Sequence, residues 1–364
     1  MIGIIFLLNV RYAPYINKYT DILKRNNKDF EIIYWDRLNS PDAPKEWKSK
    51  VFNYNSRLDK SKIAKISDFL KFRKFVIRTI ESRKYEKLII LTTLTGIFLS
   101  DKLLKNYSDN YILDIRDYSF EKNPIYKKLV GKLVEKSNFT AISSEGFKHF
   151  LPESKKYIKV HNFRHEDIMA STECARERWN KEEKIKISFL GSIRHFELDT
   201  KFIETFINDN RYILEYIGDG PHYVKLKKYI IENNYDVNIP GRYHFNDKPN
   251  ILQNVNLING YYDDKEYINK FAVSNKFYDS LIYKIPLLVN KNVYLGDIVR
   301  DNYLGITVNL ETYSEKSGIT NYIYESLKEF DYNKFEKKCN EMIQDILLED
   351  HIFEQKLSDF ISSS

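Results

Sequence analysis

Short apolar runs alternate along this chain with longer segments in which apolar residues recur every three or four positions. The first run, residues 2–8, is continuous, as expected of a parallel strand that is covered on both faces. Residues 61–83 instead show the spacing of a basic amphipathic helix. Five further strands are predicted in the first half, at residues 30–35, 88–91, 112–115, 140–143 and 157–160. Strands that alternate with helices predict a parallel α/β sheet.

A charged stretch without apolar alternation, residues 163–184, interrupts this pattern and is predicted to be a linker. A second α/β series follows, with strands predicted at residues 185–190, 213–217, 237–239, 255–258, 287–289 and 306–308, and helices from 318 to 361. We therefore predict two tandem doubly wound Rossmann-like domains that face a central cleft, where a ligand meets the carboxyl ends of the strands. The predicted divisions are an N-terminal domain at 1–165, a C-terminal domain at 166–345 and a last helix at 346–364 that crosses back to the first domain.

The two cysteines, Cys174 and Cys339, form no CxxC pair, so the sequence offers neither a disulfide framework nor a cysteine zinc site. The N-terminal apolar run lacks a basic leader and a small-residue cleavage site, and it is predicted to be a buried strand. No apolar run reaches the roughly 18 residues that a membrane span needs. These features predict a cytoplasmic protein.

Basic residues are concentrated in the first half of the chain. Residues 1–165 carry 33 Lys and Arg against 18 Asp and Glu, whereas residues 166–364 carry 25 against 33. Segment 45–87 alone has 14 basic and 5 acidic residues. Such a block can bind nucleic acid, anionic lipid or a phosphorylated acceptor, and it can equally be a solvated helix face.

A polar opening to a predicted helix is the most informative chemical feature. Ser274, Asn275 and Lys276 begin that helix, and Asp279 follows three residues after Lys276. A helix N-terminus favours an anion such as a diphosphate, because its first N–H groups have no partner within the helix. An acid in the first turn can accept hydrogen bonds from a ribose. The segment therefore predicts a cradle for a nucleotide diphosphate.

Two glycine turns follow strands of the same predicted domain. The first contains Gly191 and Ser192 with Arg194 beyond it, and the second is the run Gly218, Asp219, Gly220. Glycine lets the backbone approach a ligand, and an arginine can hold a phosphate through two hydrogen bonds. Each turn alone is also explained as an ordinary βα turn. No ligand spacing supports a metal site.

These motifs occur in one order within one domain: strand-Gly-Ser-x-Arg, Gly-Asp-Gly-Pro, Gly-Arg-Tyr at 241–243 and Ser-Asn-Lys-x-x-Asp with a later proline. The order resembles the donor half of GT-B glycosyltransferases, and more specifically glycosyltransferase family four. That retaining group builds bacterial capsule, O-antigen and exopolysaccharide. The resemblance covers most of the chain and is strongest over residues 185–310.

The resemblance implies roles for individual residues. Arg194 matches the arginine that holds the donor diphosphate. Lys276 lies at the second phosphate-binding region, and Lys201 is the alternative residue for that basic role. Asp279 matches the acid that binds the ribose. The remaining donor-binding residues that it implies are Gly191, Ser192, Gly218, Asp219, Gly220, Ser274 and Asn275.

In the first half the resemblance implies acceptor-binding residues at the loops after strands. These are Arg11, Tyr12, Arg116 and Glu145, with Asp117 as the residue that orients the acceptor or the sugar. Asp117 can equally pair with Arg116 or cap the next helix. Two positions depart from the family pattern, because Phe271 replaces a sugar-binding glutamate and Arg116 replaces a histidine. Both departures bear on sugar contacts rather than on the diphosphate.

The resemblance thus implies metal-independent, retaining transfer of a sugar from a nucleotide-diphosphate sugar, with UDP or GDP as the expected nucleotide and no further cofactor. The expected acceptor is a lipid-linked saccharide, reached by peripheral contact of the basic N-terminal domain with the inner membrane face. The alternatives are an epimerase or phosphorylase of the same fold, a non-catalytic scaffold of a polysaccharide assembly, and a nucleic-acid binder. The last is disfavoured because the basic residues of 45–87 lie on helical patterns rather than on an aromatic platform.

Overall fold

The structure, a computed structural model, describes residues 1–37, 47–56, 62–163, 168, 178–311 and 316–363. The chain forms two compact units: unit 1 comprises Met1–His161 with Leu348–Ser364, and unit 2 comprises Asn162–Leu347. Most of the linker predicted at 163–184 lies outside the described residues, as do parts of the basic segment 45–87.

Unit 1 contains a parallel sheet of seven strands in the order β3-β2-β1-β4-β5-β6-β7. The strands are β1 Ile2–Phe6, β2 Phe30–Asp36, β3 Ser49–Asn53, β4 Lys87–Leu91, β5 Tyr111–Ile115, β6 Thr140–Ile142 and β7 Tyr157–Lys159. The sequence analysis missed β3, a half-exposed edge strand that has only two apolar residues and so leaves no apolar run. The six predicted strands of this half are confirmed.

Helices cover the sheet of unit 1. They are α1 Ile16–Arg25, α2 Lys62–Arg83, α3 Thr93–Phe98, α4 Ser100–Asn106 and α5 Pro124–Lys136. The end of the last helix of the chain also belongs to this unit, where Phe353, Leu357 and Phe360 pack with β1 and α1 in one apolar core. A salt bridge of 2.6 Å between Lys18 and Asp350 joins the same two helices.

Unit 2 contains a parallel sheet of six strands in the order β10-β9-β8-β11-β12-β13. Its strands are β8 Ile185–Leu190, β9 Tyr212–Ile217, β10 Val237–Gly241, β11 Leu257–Asn259, β12 Leu287–Asn290 and β13 Gly305–Val308. Its helices are α6 Phe196–Phe206, α7 Tyr223–Glu232, α8 Lys248–Gln253, α9 Tyr267–Phe271, α10 Asn275–Tyr283, α11 Tyr294–Asp301 and α12 Lys316–Lys328. Helix α13, Tyr332–Ser362, begins in this unit and ends in unit 1.

Both sheets are doubly wound, as the alternation of strands and helices predicts. In unit 2 the chain runs outward from β8 through β9 to β10, then returns to the other side of β8 to add β11, β12 and β13. The strand order therefore reverses beside β8. In open α/β sheets a ligand binds outside the carboxyl ends of the strands at such a reversal. The sheet topology consequently predicts a ligand site at the residues that follow β8.

No helix within the described part of the chain is long and apolar enough to cross a bilayer.

Candidate functional site

Glycines line the carboxyl ends of three neighbouring strands in unit 2. Gly191 follows β8, Gly218 follows β9, and Gly241 ends β10. The Gly191 N–H donates to the Ile217 carbonyl at 3.0 Å, and the Gly218 N–H donates to the Gly241 carbonyl at 2.8 Å. We call Gly191, Gly218, Gly220 and Gly241 the glycine edge. It brings backbone close to the position where the sheet order predicts a ligand.

Gly218 shows why the glycine edge excludes side chains. Its φ is +152°, and a Cβ at this position would lie 1.8 Å from the carbonyl oxygen of Gly191. Gly220 has a φ of +155°, and a Cβ there would lie 2.5 Å from the Ile193 carbonyl oxygen. The loops after β8 and β9 can therefore pack this closely only when glycine occupies both positions.

Lys276 places a buried cation beside the glycine edge. It is the second residue of α10, and only 4% of it is exposed. Its ammonium donates to the Tyr262 hydroxyl at 2.8 Å and lies 3.9 Å from the centre of the Phe189 ring. A Cβ on Gly191 would lie 3.8 Å from the Lys276 Nζ, and no nearer heavy atom surrounds that point. The lysine ammonium thus lies beside Gly191, at the carboxyl end of β8.

The N-terminus of α10 supplies backbone donors next to that charge. Ser274 is the N-cap residue, as the sequence predicts, but its side chain makes no capping hydrogen bond. The Phe277 N–H donates to the Ser274 carbonyl at 3.0 Å, which leaves the N–H groups of Asn275 and Lys276 without an intrahelical partner. Asn275 is exposed, and its Oδ1 accepts a hydrogen bond of 2.7 Å from Asn162 Nδ2. This end of α10 can therefore receive an anion.

Arg194 and Arg242 are exposed arginines that follow Gly191 and Gly241. Neither guanidinium has a hydrogen bond or a salt bridge to any residue in the described ranges, in contrast to the many paired arginines of the chain. Ser192 lies between Gly191 and Ile193 in the same loop, and it is half-buried. Two exposed guanidinium groups on neighbouring loops can therefore bind a phosphate without breaking a pair with a described residue.

Three of the donor-site residues predicted from sequence are engaged elsewhere within unit 2. Asp279 is buried and forms a salt bridge with Lys248, which begins α8. Lys201 pairs with Glu311 at 3.1 Å, on the exposed side of α6. Asp219 is exposed, and its Oδ1 accepts the Gly220 N–H at 2.7 Å. Lys276 rather than Lys201 is therefore the lysine that the structure brings to the glycine edge.

Asp199, in the first turn of α6, was not predicted from sequence to be a site residue, although it lies within the electrostatic reach of Lys276. The residue is 6% exposed, and its Oδ2 has no hydrogen-bond partner among the described residues. Burial raises the pKa of the Asp199 carboxyl to about 7, an effect that the charge of Lys276 partly offsets. The sequence holds a signal, because Asp199 shares the helical face of Phe202, Ile203 and Phe206, where an acid is unusual.

Arg116 is held inside unit 1 rather than presented at the sheet edge. Its side chain is 7% exposed and forms a double salt bridge with the fully buried Asp114, with contacts of 2.5 and 2.9 Å. It also donates to the Val160 carbonyl at 2.9 Å. Tyr19 donates to the second carboxylate oxygen of Asp114 at 2.6 Å. These bonds engage both charges, so Arg116 serves the packing of β5 in this structure.

The other predicted acceptor residues lie at the carboxyl ends of strands in unit 1. Arg11 and Tyr12 form a short 3₁₀ turn after β1, with Arg11 Nη2 donating to the exposed Tyr12 hydroxyl at 2.6 Å. Asp117 is exposed in the loop after β5. Glu145 follows β6 and pairs with Lys148 at 2.5 Å. Since all these strands are parallel, the four side chains occupy one edge of the sheet.

That edge also carries a backbone outlier. Thr92, directly after β4, has φ and ψ of 76° and 145°, a rare conformation for a β-branched residue. Its N–H donates to the Asp114 carbonyl at 2.8 Å, and its side chain caps α3. Such strain concentrates at functional sites, but the sequence around Thr92 contains no signal for it.

No group of three or more His, Cys, Asp or Glu side chains that could hold a metal ion occurs among the described residues.

Solved structures of sugar-transferring enzymes resemble this chain along its whole length. Sucrose-phosphate synthase from Thermosynechococcus elongatus matches with a TM-score of 0.71 and 11% identity, covering 100% of this chain and 99% of that one. Anabaena HepE in complex with UDP and glucose matches with a TM-score of 0.65 and 11% identity, covering 98% and 99%. A glycosyltransferase from Rickettsia africae matches with a TM-score of 0.63 and 10% identity, covering 100% and 99%.

No protein-family model matches the chain, and no curated protein matches it by sequence. The structural likenesses, at such low identity, show the fold. Two Rossmann-like parallel sheets of seven and six strands, matched over the whole chain, confirm the predicted fold class. The chain has the GT-B fold of glycosyltransferases.

Proposed function

We propose that this protein is a retaining glycosyltransferase that takes a sugar from a nucleotide-diphosphate sugar. The observation that carries the proposal is the position of Lys276. A Cβ on Gly191 would lie 3.8 Å from its buried ammonium, at the end of the strand beside which the order of unit 2 reverses, and the lysine belongs to the first turn of α10. A buried cation, a helix N-terminus and an approachable backbone together match the charge and shape of a diphosphate.

Binding of the donor would use groups with different strengths. Lys276 is held by Tyr262 and Phe189, so its charge is oriented before a ligand arrives. Arg194 is exposed and adds a guanidinium that no described residue holds in place. Preorganised charge stabilises a developing anion more than mobile charge does, because it costs no reorganisation during the reaction. Lys276 is therefore the main electrostatic contributor and Arg194 the secondary one.

The proposed chemical step needs no protein nucleophile and no metal. The bond between the anomeric carbon and the diphosphate oxygen breaks, and that oxygen keeps the electron pair. The acceptor hydroxyl forms its bond to the same face of the anomeric carbon, and its proton passes to a diphosphate oxygen. Lys276, Arg194 and the N-terminus of α10 stabilise the charge that develops on the leaving diphosphate.

UDP is the nucleotide with which we would begin, and GDP is the next. The structure of Anabaena HepE contains UDP and glucose, and a second structure of that protein contains UDP-glucose. The ribose contact was assigned to Asp279 from sequence. Because Asp279 is paired with Lys248, we propose that the ribose is bound by the two residues as a pair.

The test of this function is turnover of nucleotide sugars. The protein is incubated with UDP-, GDP-, CDP- and ADP-sugars and a lipid-linked or simple saccharide, and release of the nucleoside diphosphate is measured. We expect one nucleotide to be preferred, and NMR of the product should show the anomeric configuration of the donor. Inversion of configuration would contradict the retaining mechanism. Interconversion of donor sugars without transfer would indicate an epimerase instead.

We further propose that unit 1 contacts an anionic membrane surface and takes a lipid-linked acceptor there. Phe120 and Ile125, on either side of the start of α5, are 61% and 81% exposed. Lys122 and Lys128 are exposed lysines on the same segment. Exposed apolar side chains among lysines fit an anionic leaflet, near which each surface lysine contributes about 1 kcal/mol.

Vesicle binding tests this contact. We expect the protein to co-sediment with vesicles of anionic phospholipid at low salt and much less with neutral ones. Replacing both Phe120 and Ile125 by serine should weaken binding about tenfold or more, because their burial in the interface is lost. Val224→Ser is the matched control, since Val224 is 76% exposed in unit 2. Equal losses in the two variants would contradict the assignment.

A further inference from the structure

Asp199 is a buried acid in the first turn of α6, and its carboxyl accepts a hydrogen bond from the backbone N–H of His195, which opposes the effect of burial on its pKa. Its Oδ2 is enclosed and has no hydrogen-bond partner among the described residues of the chain. A buried polar atom left in this way destabilises the fold, so native structures retain few of them without a reason. The residue belongs to α6, whose N-terminal end follows the Gly191 loop.

The surroundings of Asp199 connect it to the proposed donor site. Lys276, from α10, is the cation that acts on its carboxyl. Tyr216, from β9, donates to the Asp199 backbone carbonyl at 3.4 Å. His195, at the start of α6, has a half-buried ring that stacks edge-on against Tyr262, the partner of Lys276. Asp199 thus interacts electrostatically with the same lysine that lies beside Gly191.

The other charged groups packed against α6 are directed elsewhere. Glu204, further along the helix, accepts the Tyr229 hydroxyl of α7 at 2.6 Å and pairs with Lys316 of α12 at 3.1 Å. Lys201 pairs with Glu311, and Glu197 is a solvent-exposed neighbour of Lys225. Lys276 is therefore the cation that bears on Asp199 among the described groups.

We propose that Asp199 is protonated in the nucleotide-sugar site and that its carboxylic O–H donates a hydrogen bond to a phosphate oxygen beside Lys276. This inference rests on the proposed function. An ionised Asp199 would repel an arriving diphosphate and neutralise the charge of Lys276. The protonated acid instead leaves the lysine charge available to the ligand, and its unpartnered Oδ2 gains a hydrogen bond to that ligand.

The electrostatics of the ligand-free protein favour the protonated form of Asp199. Burial already raises the pKa of Asp199 to about 7 from the ordinary value of 3.8, and a bound diphosphate adds negative charge that would raise the pKa further. Donor binding should therefore be coupled to proton uptake above neutral pH. The diphosphate of a nucleotide sugar is doubly esterified and does not titrate near neutrality, so a change in affinity reports on the protein.

The test is calorimetric titration of UDP-glucose, without added metal, from pH 6.0 to 8.5. We expect the wild-type association constant to fall about tenfold or more across this range, because each deprotonated Asp199 must regain a proton on binding. Asp199→Asn keeps a neutral donor of the same shape. It should bind within threefold of wild type at pH 6.0, more tightly than wild type at pH 8.5, and with almost no pH dependence.

Glu197→Gln is the matched control, because Glu197 lies on the first turn of the same helix but is 85% exposed. It should keep the wild-type pH profile, and so should His195→Gln, which tests whether the histidine titrates instead. A profile unchanged in Asp199→Asn would overturn the inference, as would a large loss of affinity in this variant at pH 6.0, which would mean an ionised Asp199. No binding by the wild type at any pH would instead overturn the proposed function.

Unfolding of the ligand-free protein gives a second, independent reading. Since the folded-state pKa of Asp199 is raised, the stabilisation that its proton contributes is complete below about pH 4 and is lost as pH rises through about 7. The melting temperature of wild type relative to Asp199→Asn should therefore decline over this window. A constant difference between the two proteins would show that Asp199 is already ionised in the fold.

Discussion

Replacing Lys276 by methionine should lower kcat/KM for sugar transfer about 10²- to 10³-fold, equivalent to about 3–4 kcal/mol of transition-state stabilisation. The ammonium is oriented by Tyr262 and Phe189, and it lies beside Gly191, where we propose that the leaving diphosphate gains charge. Methionine keeps the length and the apolar stem of the side chain. The loss should consequently appear in kcat as well as in KM, with little change in melting temperature.

Lys334→Met is the matched control for this variant. Lys334 is an exposed lysine of unit 2 whose ammonium lies 4.3 Å from the centre of the Tyr303 ring, on α13. Like Lys276, it makes a cation–π contact, but it lies in α13 rather than in α10. Steady-state kinetics of both variants compare the two positions directly. A Lys276→Met enzyme with the activity of Lys334→Met would mean that the diphosphate binds elsewhere.

Replacing Asp114 by alanine should destabilise the protein by about 3–5 kcal/mol, because it leaves Arg116 as an uncompensated buried charge. Asp114 is fully buried, and it holds both Arg116 and the Tyr19 hydroxyl. Removing one partner of such a pair costs more than the pair itself contributes, since the remaining charge stays out of water. Urea unfolding of unit 1, followed by a probe in that unit, measures the loss.

Two further variants separate this explanation from simple loss of packing. Asp114→Ala combined with Arg116→Met removes both charges and should recover most of the stability. Asp29→Ala removes an exposed partner of Lys48, a pair whose side chains are 77% and 70% exposed, and should cost less than about 1 kcal/mol. If the double variant were no more stable than Asp114→Ala, the buried charge would not be the cause.

Local patterns in the sequence predict most of the fold. The continuous apolar run of β1 and the helix start at Ser274 are both confirmed, because each depends on neighbouring residues alone. Helix α10 ends at Tyr283, and Lys284 takes the left-handed conformation of a C-cap just before Ile285 and Pro286. The edge strand β3 was missed, because pairing with one neighbour requires little apolar sequence.

The partners of charged side chains are much harder to predict. Asp279 pairs with Lys248, which lies 31 positions earlier, and Arg116 donates to the carbonyl of Val160, 44 positions later. Such contacts depend on how distant loops meet, so spacing along the chain does not reveal them. Asp199 is different, because an acid on the apolar face of α6 is a local signal that sequence alone contains.

Above all, we propose that the glycine edge, Lys276 and Arg194 bind a nucleotide diphosphate. Calorimetric titration of UDP, GDP, CDP and ADP into the wild-type protein and into Arg194→Ala, without added metal, tests it most directly. We expect one diphosphate to bind selectively, and its affinity to fall about 10- to 100-fold when Arg194 is removed, as expected for a charge-assisted hydrogen bond. Equal binding by both proteins, or binding of none of the four by the wild type, would contradict the assignment of this site.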